Sequence, residues 1–351
     1  MGNGGSRKRL KKFRMCGIVG KGAFGTVVAA RDEKEMVALK FQSMSKLLED
    51  KSHAKDAKRE LDFLIALQKT NNPFVMKLRE AFTTETDLVL VMPLLTGGDV
   101  RHHLQEYGFF EIDRVRLLAA ELCCGLEAIH SIGLVYRDLK PENVVLTHKG
   151  HARITDFDRS RYMETEKDQK LQVFEYTGTP GYMSPELINN ERYDQAIDVF
   201  GLGILVFEML HDKLPFDSDV SLQDKVEEKD FPQPKFLPRI PQEGKDIIMA
   251  LLKFSSRDRI GCKNKNGKVN WEEFKSHKFL SNLEWKDVLS EKIVPLEMLS
   301  VKENVSKVEK MLNSPKSKFN PKSVMSKPLS LVENKAATLF ADYEYKIGAD
   351  N

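Results

Sequence analysis

The sequence predicts an α+β fold in two lobes, β-rich over residues 13–94 and helix-rich over 95–281. Two observations carry this. Strand-like apolar runs are frequent up to Pro93, and helical patterns dominate after the Gly97–Gly98 break. The change falls near residue 95, which puts a hinge at about Met92 to Leu95. A basic tail over residues 1–12 precedes the lobes, and an extension rich in Lys, Ser, Asn and Pro follows them over 282–351.

In the first lobe, "FRMCGIVGKGAFGTVVAARDEKEMVALKFQ" reads as strands around a tight glycine turn. Ile18 and Val19 precede Gly20, Gly22 and Gly25; Val27 to Ala30 and Met36 to Phe41 follow. Glycines at that spacing let backbone amides approach a polyphosphate, and the same pattern also occurs in dinucleotide folds. Here they lie between strands and lead to "VALK", whose Lys40 sits among apolar neighbours and suits a charge reaching phosphates. Residues 44 to 67 have helical character and carry Glu60, placed to pair with Lys40. "DLVLVMPLLTGGD" is a strand ending at the glycine pair, and residues 112–131 form a long helix rich in Leu and Ala.

The 351 residues, 41% hydrophobic and 30% charged, have a net charge of +3, which does not point to nucleic acid. Cys16, Cys123, Cys124 and Cys262 lack C-x-x-C spacing or a paired framework, which argues for a reducing compartment and against a metal-thiolate site. No apolar run approaches the roughly 18 residues of a membrane span, and no signal peptide is visible, so a cytoplasmic chain is expected. Gly2 and Ser6 fit the M-G-x-x-x-[ST] pattern for myristoylation, and Arg7, Lys8, Arg9, Lys11, Lys12 and Arg14 follow. One acyl chain binds membranes marginally, and a polybasic patch on an anionic inner leaflet supplies the second signal.

The second lobe contains "VYRDLKPENVVL", with "ITDFD" beyond it. Asp138, Lys140, Asn143 and Asp156 offer a base, a cation and two metal ligands, the set that phosphoryl transfer demands. In this order the elements resemble the eukaryotic protein kinases, from residue 17 to about 280, and imply the bilobal kinase fold with ATP and Mg²⁺ as cofactors. The resemblance implies that Gly20, Lys21, Gly22, Ala23, Phe24 and Gly25 cover the phosphates, and that Lys40, paired with Glu60, holds the α and β groups. Val27, Ala38, Met92, Leu94, Asp99 and Val145 complete the implied nucleotide site. Asp156 would chelate Mg²⁺, Asn143 a second ion, Asp138 would accept the substrate proton and Lys140 would stabilise the γ-phosphate. Lys140 together with Thr179 in "GTPGYMSPE" looks like the Ser/Thr class. Glu186 with Arg259, Asp198, and the apolar group Leu64, Leu78, Tyr136 and Phe157 resemble structural landmarks of the family.

"YRD", "GGD", "RIGC" and the C-terminal extension resemble the AGC group. Other segments look like the G-protein-coupled-receptor kinases or the small YANK subgroup, and the choice between them stays open. Near its end the extension carries "TLFADYEY", similar to the AGC hydrophobic motif, which folds back on the N-lobe and braces the Glu-bearing helix; here it is Phe340, Tyr343, Glu344 and Tyr345. Glu344 stands where relatives carry a phosphorylatable Ser or Thr, and Glu175 where an activating phospho-Thr falls, opposite Arg137 and Arg161. A kinase active without phosphorylation at those places is therefore expected. Asp158 replaces the glycine of "DFG", and glycine there permits positive φ; a pseudokinase scaffold that binds nucleotide is the alternative. Asp99, Glu142 and Glu208 match acids that receive Arg in basophilic members, so protein substrates with Arg before the hydroxyl are expected, with the chain a monomer. Ser314 before Pro315 is a candidate tail modification site.

Overall fold

A computed structural model describes residues 9–22, 25–33, 35–165, 171–173, 175–216, 227, 231–264, 266–295, 299–313, 320, 323–326, 340 and 343–346. Gly2, Ser6, Arg7, Lys8, Ala23, Phe24, Ser314 and Pro315, named above, lie outside the described residues. The chain forms two compact units: residues 1–69, 76–96 and 302–351 in one, and 70–75 with 97–301 in the other. The C-terminal extension is thus divided, with residues 302–351 joining the β-rich unit. No helix among the described residues is long and apolar enough to cross a membrane.

The first unit is built on the antiparallel strands β1 (Arg14–Lys21), β2 (Gly25–Arg31), β3 (Met36–Ser43), β4 (Glu80–Thr83) and β5 (Asp87–Pro93), in the order β1-β2-β3-β5-β4. One face is apolar because alternate residues point the same way: Val28, Ala30, Val37, Leu39, Phe41, Val89 and Val91 pack with Phe13 and Phe82. Residues directly opposite across a ladder share a face. Gly20 opposes Val27, Val27 opposes Lys40, and Ala38 opposes Met92, so one face of the sheet carries all five.

The expected helix over 44–67 is two helices, α1 (Met44–Leu48) and α2 (Lys51–Gln68). They separate at Glu49 and Asp50, because the Asp50 carboxylate caps α2 by accepting from the Ser52 N–H at 2.7 Å.

The tail completes this unit. Tyr345–Lys346 pairs antiparallel with β4, Tyr345 opposite Ala81, and so covers the sheet's edge from within the chain. The helix Leu299–Asn313 presents Leu312, Val308 and Met311 to Cys16 and Ala29.

The second unit contains α3 (Val100–Tyr107), α4 (Ile112–Ser131) and α5 (Ala196–His211). Helix α5 is buried over its whole length, as its nearly continuous apolar sequence requires. Arg259, 0% exposed, is held by Glu186 through two bonds of 2.6 Å and lies 4.9 Å from the Phe200 ring centroid. The four cysteines are all buried thiols.

Candidate active site

The site is described unit by unit, starting with the β-rich one. Lys40 Nζ donates to Glu60 Oε1 at 2.6 Å, which ties β3 to α2. Glu60 is 2% exposed, and a carboxylate so deeply buried requires partners. Gln42, two residues along β3 on the same face, supplies the second by donating from Nε2 to Glu60 Oε2 at 2.8 Å. Tyr343 then donates its hydroxyl to Gln42 Oε1 at 3.2 Å, and its ring meets Phe340 edge-on with centroids 6.4 Å apart. Phe340 and Tyr343 are each 1% exposed. Burial, with the Glu60 charge nearby, pushes the Tyr343 phenol well above its ordinary pKa, so it stays a neutral donor. Gln42 was not among the residues expected here; the clue was its position two residues from Lys40. Glu344 is exposed and meets Arg9 at 3.1 Å, and an exposed pair of this kind contributes little.

The glycines differ in what they need. At Gly25 a Cβ would fall 1.6 Å from the Phe41 carbonyl oxygen, whereas at Gly22 it would meet nothing within 4 Å. The Gly22 N–H closes the turn onto Gly25 O at 2.9 Å. Lys21 is exposed, Ala38 and Met92 are buried, and Leu94 is partly buried beside the Leu299–Asn313 helix cluster.

In the second unit Asp138, 5% exposed, gathers the candidate catalytic groups. Lys140 Nζ donates to Asp138 Oδ2 at 2.7 Å and to Thr179 Oγ1 at 2.8 Å, and Thr179 donates to Asp138 Oδ1 at 2.5 Å. Asn143 directs its amide N–H groups to Asp138 O and Oδ2, both at 2.9 Å, which leaves its amide oxygen as an acceptor. Thr155, next to Asp156, donates through both N–H (2.9 Å) and hydroxyl (3.1 Å) to Asn143 O. The two oxygen donors expected for Mg²⁺ are thereby held on adjoining loops, and hard oxygen ligands on so few side chains fit a magnesium that completes its shell with phosphate and water. Asp99 and Val145 form an antiparallel bridge in the same unit.

The loop geometry has a visible cause. Asp198 accepts from the Tyr136 and Arg137 backbone N–H groups, both at 2.8 Å, and His130 lies 2.8 Å from the same carboxylate. These bonds hold Arg137 at φ +73°, a left-handed backbone rare for non-glycine residues. Asp156 is also left-handed, at φ +58°, but Asp158 is not among the positive-φ residues, so its side chain imposes no backbone strain in this conformation. Tyr136 and Phe157 meet edge-on at 5.5 Å, and Tyr136 donates to Thr155 O at 2.5 Å.

Glu175 meets both expected cations. Arg137 Nη1 reaches its Oε2 at 3.0 Å, and Arg161 reaches Oε2 at 3.2 Å and Oε1 at 3.3 Å. Partial burial works to raise the Glu175 pKa, but the two guanidiniums outweigh it and hold the carboxyl below its ordinary value of 4.5. Arg137 also donates to Tyr193 OH at 2.8 Å.

The acids expected to receive a substrate arginine are engaged already. Asp99 caps α3 by accepting from His102 N–H at 2.8 Å, and Arg101 bonds Glu142 at 2.9 Å and Glu208 at 2.7 Å.

Comparison with known proteins identifies the family. Residues 13–280 match the family model for the protein kinase domain. G protein-coupled receptor kinase 2 of Drosophila melanogaster is 36% identical over 289 residues, 79% of this chain and 39% of that protein. Serine/threonine-protein kinase gad8 of Schizosaccharomyces pombe is 32% identical over 299 residues, 82% of this chain and 48% of its own. Serine/threonine-protein kinase AtPK2/AtPK19 of Arabidopsis thaliana is 32% identical over 340 residues, 96% of this chain and 68% of its own. The chain thus spans less than half the length of the first two. It belongs to the protein kinase family, among the AGC-type serine/threonine kinases.

Proposed function

We propose that the chain transfers the γ-phosphate of ATP to serine and threonine hydroxyls of proteins, without needing phosphorylation of its activation segment. The observation that carries this is the closed set of bonds joining Asp138, Lys140, Thr179 and Asn143. Asp138 accepts the proton of the substrate hydroxyl, whose oxygen bonds to the γ-phosphorus while the bond to the β–γ bridging oxygen breaks and ADP leaves. Lys140 offsets charge on the transferred group, and Lys40, oriented by Glu60, holds the α- and β-phosphates. Bound Mg²⁺ supplies charge neutralisation at the phosphate oxygens, and Asn143 and Asp156 are the residues to hold it.

Independence from phosphorylation is supported by Glu175, whose carboxylate already pairs with Arg137 and Arg161. The pseudokinase alternative has less support, because all six polar residues of the transfer chemistry are present and Asp158 strains nothing. Selection of a substrate arginine is opposed by Arg101, which already bonds two of the three acids that selection would use. The M-G-x-x-x-S start and the basic side chains of Arg7, Lys8, Arg9, Lys11, Lys12 and Arg14 support acylation at Gly2 and a cytoplasmic protein held at the inner leaflet of the plasma membrane.

The test is transfer from Mg²⁺-ATP to a serine peptide by unphosphorylated protein, with Asp138→Ala as control. Activity abolished in the control supports the proposal; bound ATP with no transfer by either protein overturns it.

A further inference from the structure

Helix α3 carries a cation where its own electrostatics disfavour one. Arg101 lies in the first turn, at the positive end of the helix dipole, and needs anionic partners to stay there. It has them. Arg101 Nε donates to Glu142 Oε1 at 2.9 Å, Nη1 to Glu208 Oε1 at 2.7 Å and Nη2 to Tyr182 OH at 2.6 Å, while Tyr182 donates to Glu208 Oε2 at 2.5 Å. Every nitrogen of the guanidinium is engaged, in the planar geometry that guanidinium groups favour. The Glu208 side chain is 5% exposed, so its charge would be costly without this partner, whereas that of Glu142 is 46% exposed.

The cluster lies beside the transfer chemistry by covalent connection. Glu142 falls between Lys140 and Asn143, and Tyr182 is three residues past Thr179, which bonds Asp138. Tyr182 and Thr179 also line one small pocket with Met183 and Leu187. A peptide that brings its hydroxyl to Asp138 therefore has neighbouring residues within reach of this cluster.

Resting on the kinase activity proposed above, we infer that Arg101 is a specificity-determining residue: it occupies the Glu142–Glu208 pair from within the chain, so the enzyme accepts substrates without a flanking basic residue. Two carboxylates against one guanidinium leave a single net negative charge, and a substrate arginine gains only what it can take from Arg101. Removing the Arg101 guanidinium frees Glu142 Oε1 and Glu208 Oε1 to bind an arginine of the substrate, while Tyr182 keeps Glu208 Oε2.

The experiment uses the full chain and a serine peptide lacking basic residues, compared with versions carrying one arginine at each of the several positions before the serine. The quantity read is the ratio of kcat/KM with arginine to that without. Wild-type ratios within about threefold of one are expected. Arg101→Gln is expected to raise the ratio at one position by about tenfold or more through KM, the scale of a hydrogen bond between charged groups. Strong arginine selection by the wild type, or unchanged ratios in Arg101→Gln, overturns the inference while transfer to the neutral peptide preserves the kinase reading. Absence of transfer to every peptide overturns the kinase reading instead. Glu142→Gln in the wild-type background gives a reading that needs no Arg101 variant: its ratios stay flat if Arg101 masks the pair and fall if substrates already use it.

Discussion

Replacing Tyr343 with Phe isolates the connection between the tail and Lys40, because only a hydroxyl is removed. The lost bond is 3.2 Å long and lies in a site where Tyr343 and Gln42 are 1% and 4% exposed. A neutral buried bond of that kind is worth about 1 kcal/mol, and leaving the Gln42 oxygen unpaired brings the cost toward about 2 kcal/mol. For a domain of this size, each kcal/mol lowers Tm by about 2–4 °C. Gln42 also holds Glu60 Oε2, so a looser Gln42 weakens the placement of Lys40, and kcat/KM for phosphotransfer is expected to fall by about fivefold. Calorimetry and steady-state kinetics on Tyr343→Phe, Gln42→Leu and the double variant separate the effects. If Tyr343 acts through Gln42, the double variant loses little more than Gln42→Leu alone. A lowered Tm with kcat/KM unchanged in Tyr343→Phe would refute the reasoning and leave the tail hydroxyl a purely stabilising group.

Other consequences are checked as simply. Glu175→Gln removes the charge between Arg137 and Arg161; because the Glu175 side chain is 44% exposed, water screens the pair, and activity of unphosphorylated protein should fall by about three- to tenfold, read by initial rates. Gly25→Ala puts a methyl group against the Phe41 carbonyl and should lower Tm measurably, whereas Gly22→Ala, facing open space, should not. His103 lies between Gly97 O at 2.8 Å and Ser300, and burial, with the His102 and Arg114 charges, pushes its pKa down from 6.5 to about 4. A histidine held neutral in the fold stabilises fully above pH 6.5, and its contribution is lost as pH falls from there toward 4, so Tm should drop over that window and drop less in His103→Asn.

The residues proposed to carry phosphate chemistry are legible in the sequence because each sits in a short contiguous motif whose spacing is fixed by a turn or a strand. Lys40 is readable on β3, and Asp138, Lys140 and Asn143 follow one another within a single loop. Long-range partnerships are less legible. Gln42 reads as an ordinary polar residue on a strand, and only folding shows that it lies between Glu60 and a tyrosine 301 residues away. Arg101 reads as an exposed helix residue, since its partners Glu142, Tyr182 and Glu208 are brought to it by three separate segments. The break between α1 and α2 was signalled only by Asp50, a capping residue within a continuous helical pattern. Asp158 is a departure that the sequence marks plainly, while its backbone is legible only in the structure, where the left-handed position of this loop belongs to Asp156.

The most direct measurement is single-turnover transfer of the γ-phosphate from Mg²⁺-ATP to a serine peptide by protein shown by mass spectrometry to carry no phosphate, alongside Asp138→Ala. Transfer by the first and none by the second is the expected result; transfer that appears only after an upstream kinase has acted would contradict constitutive activity, and none under any condition would contradict the enzyme itself.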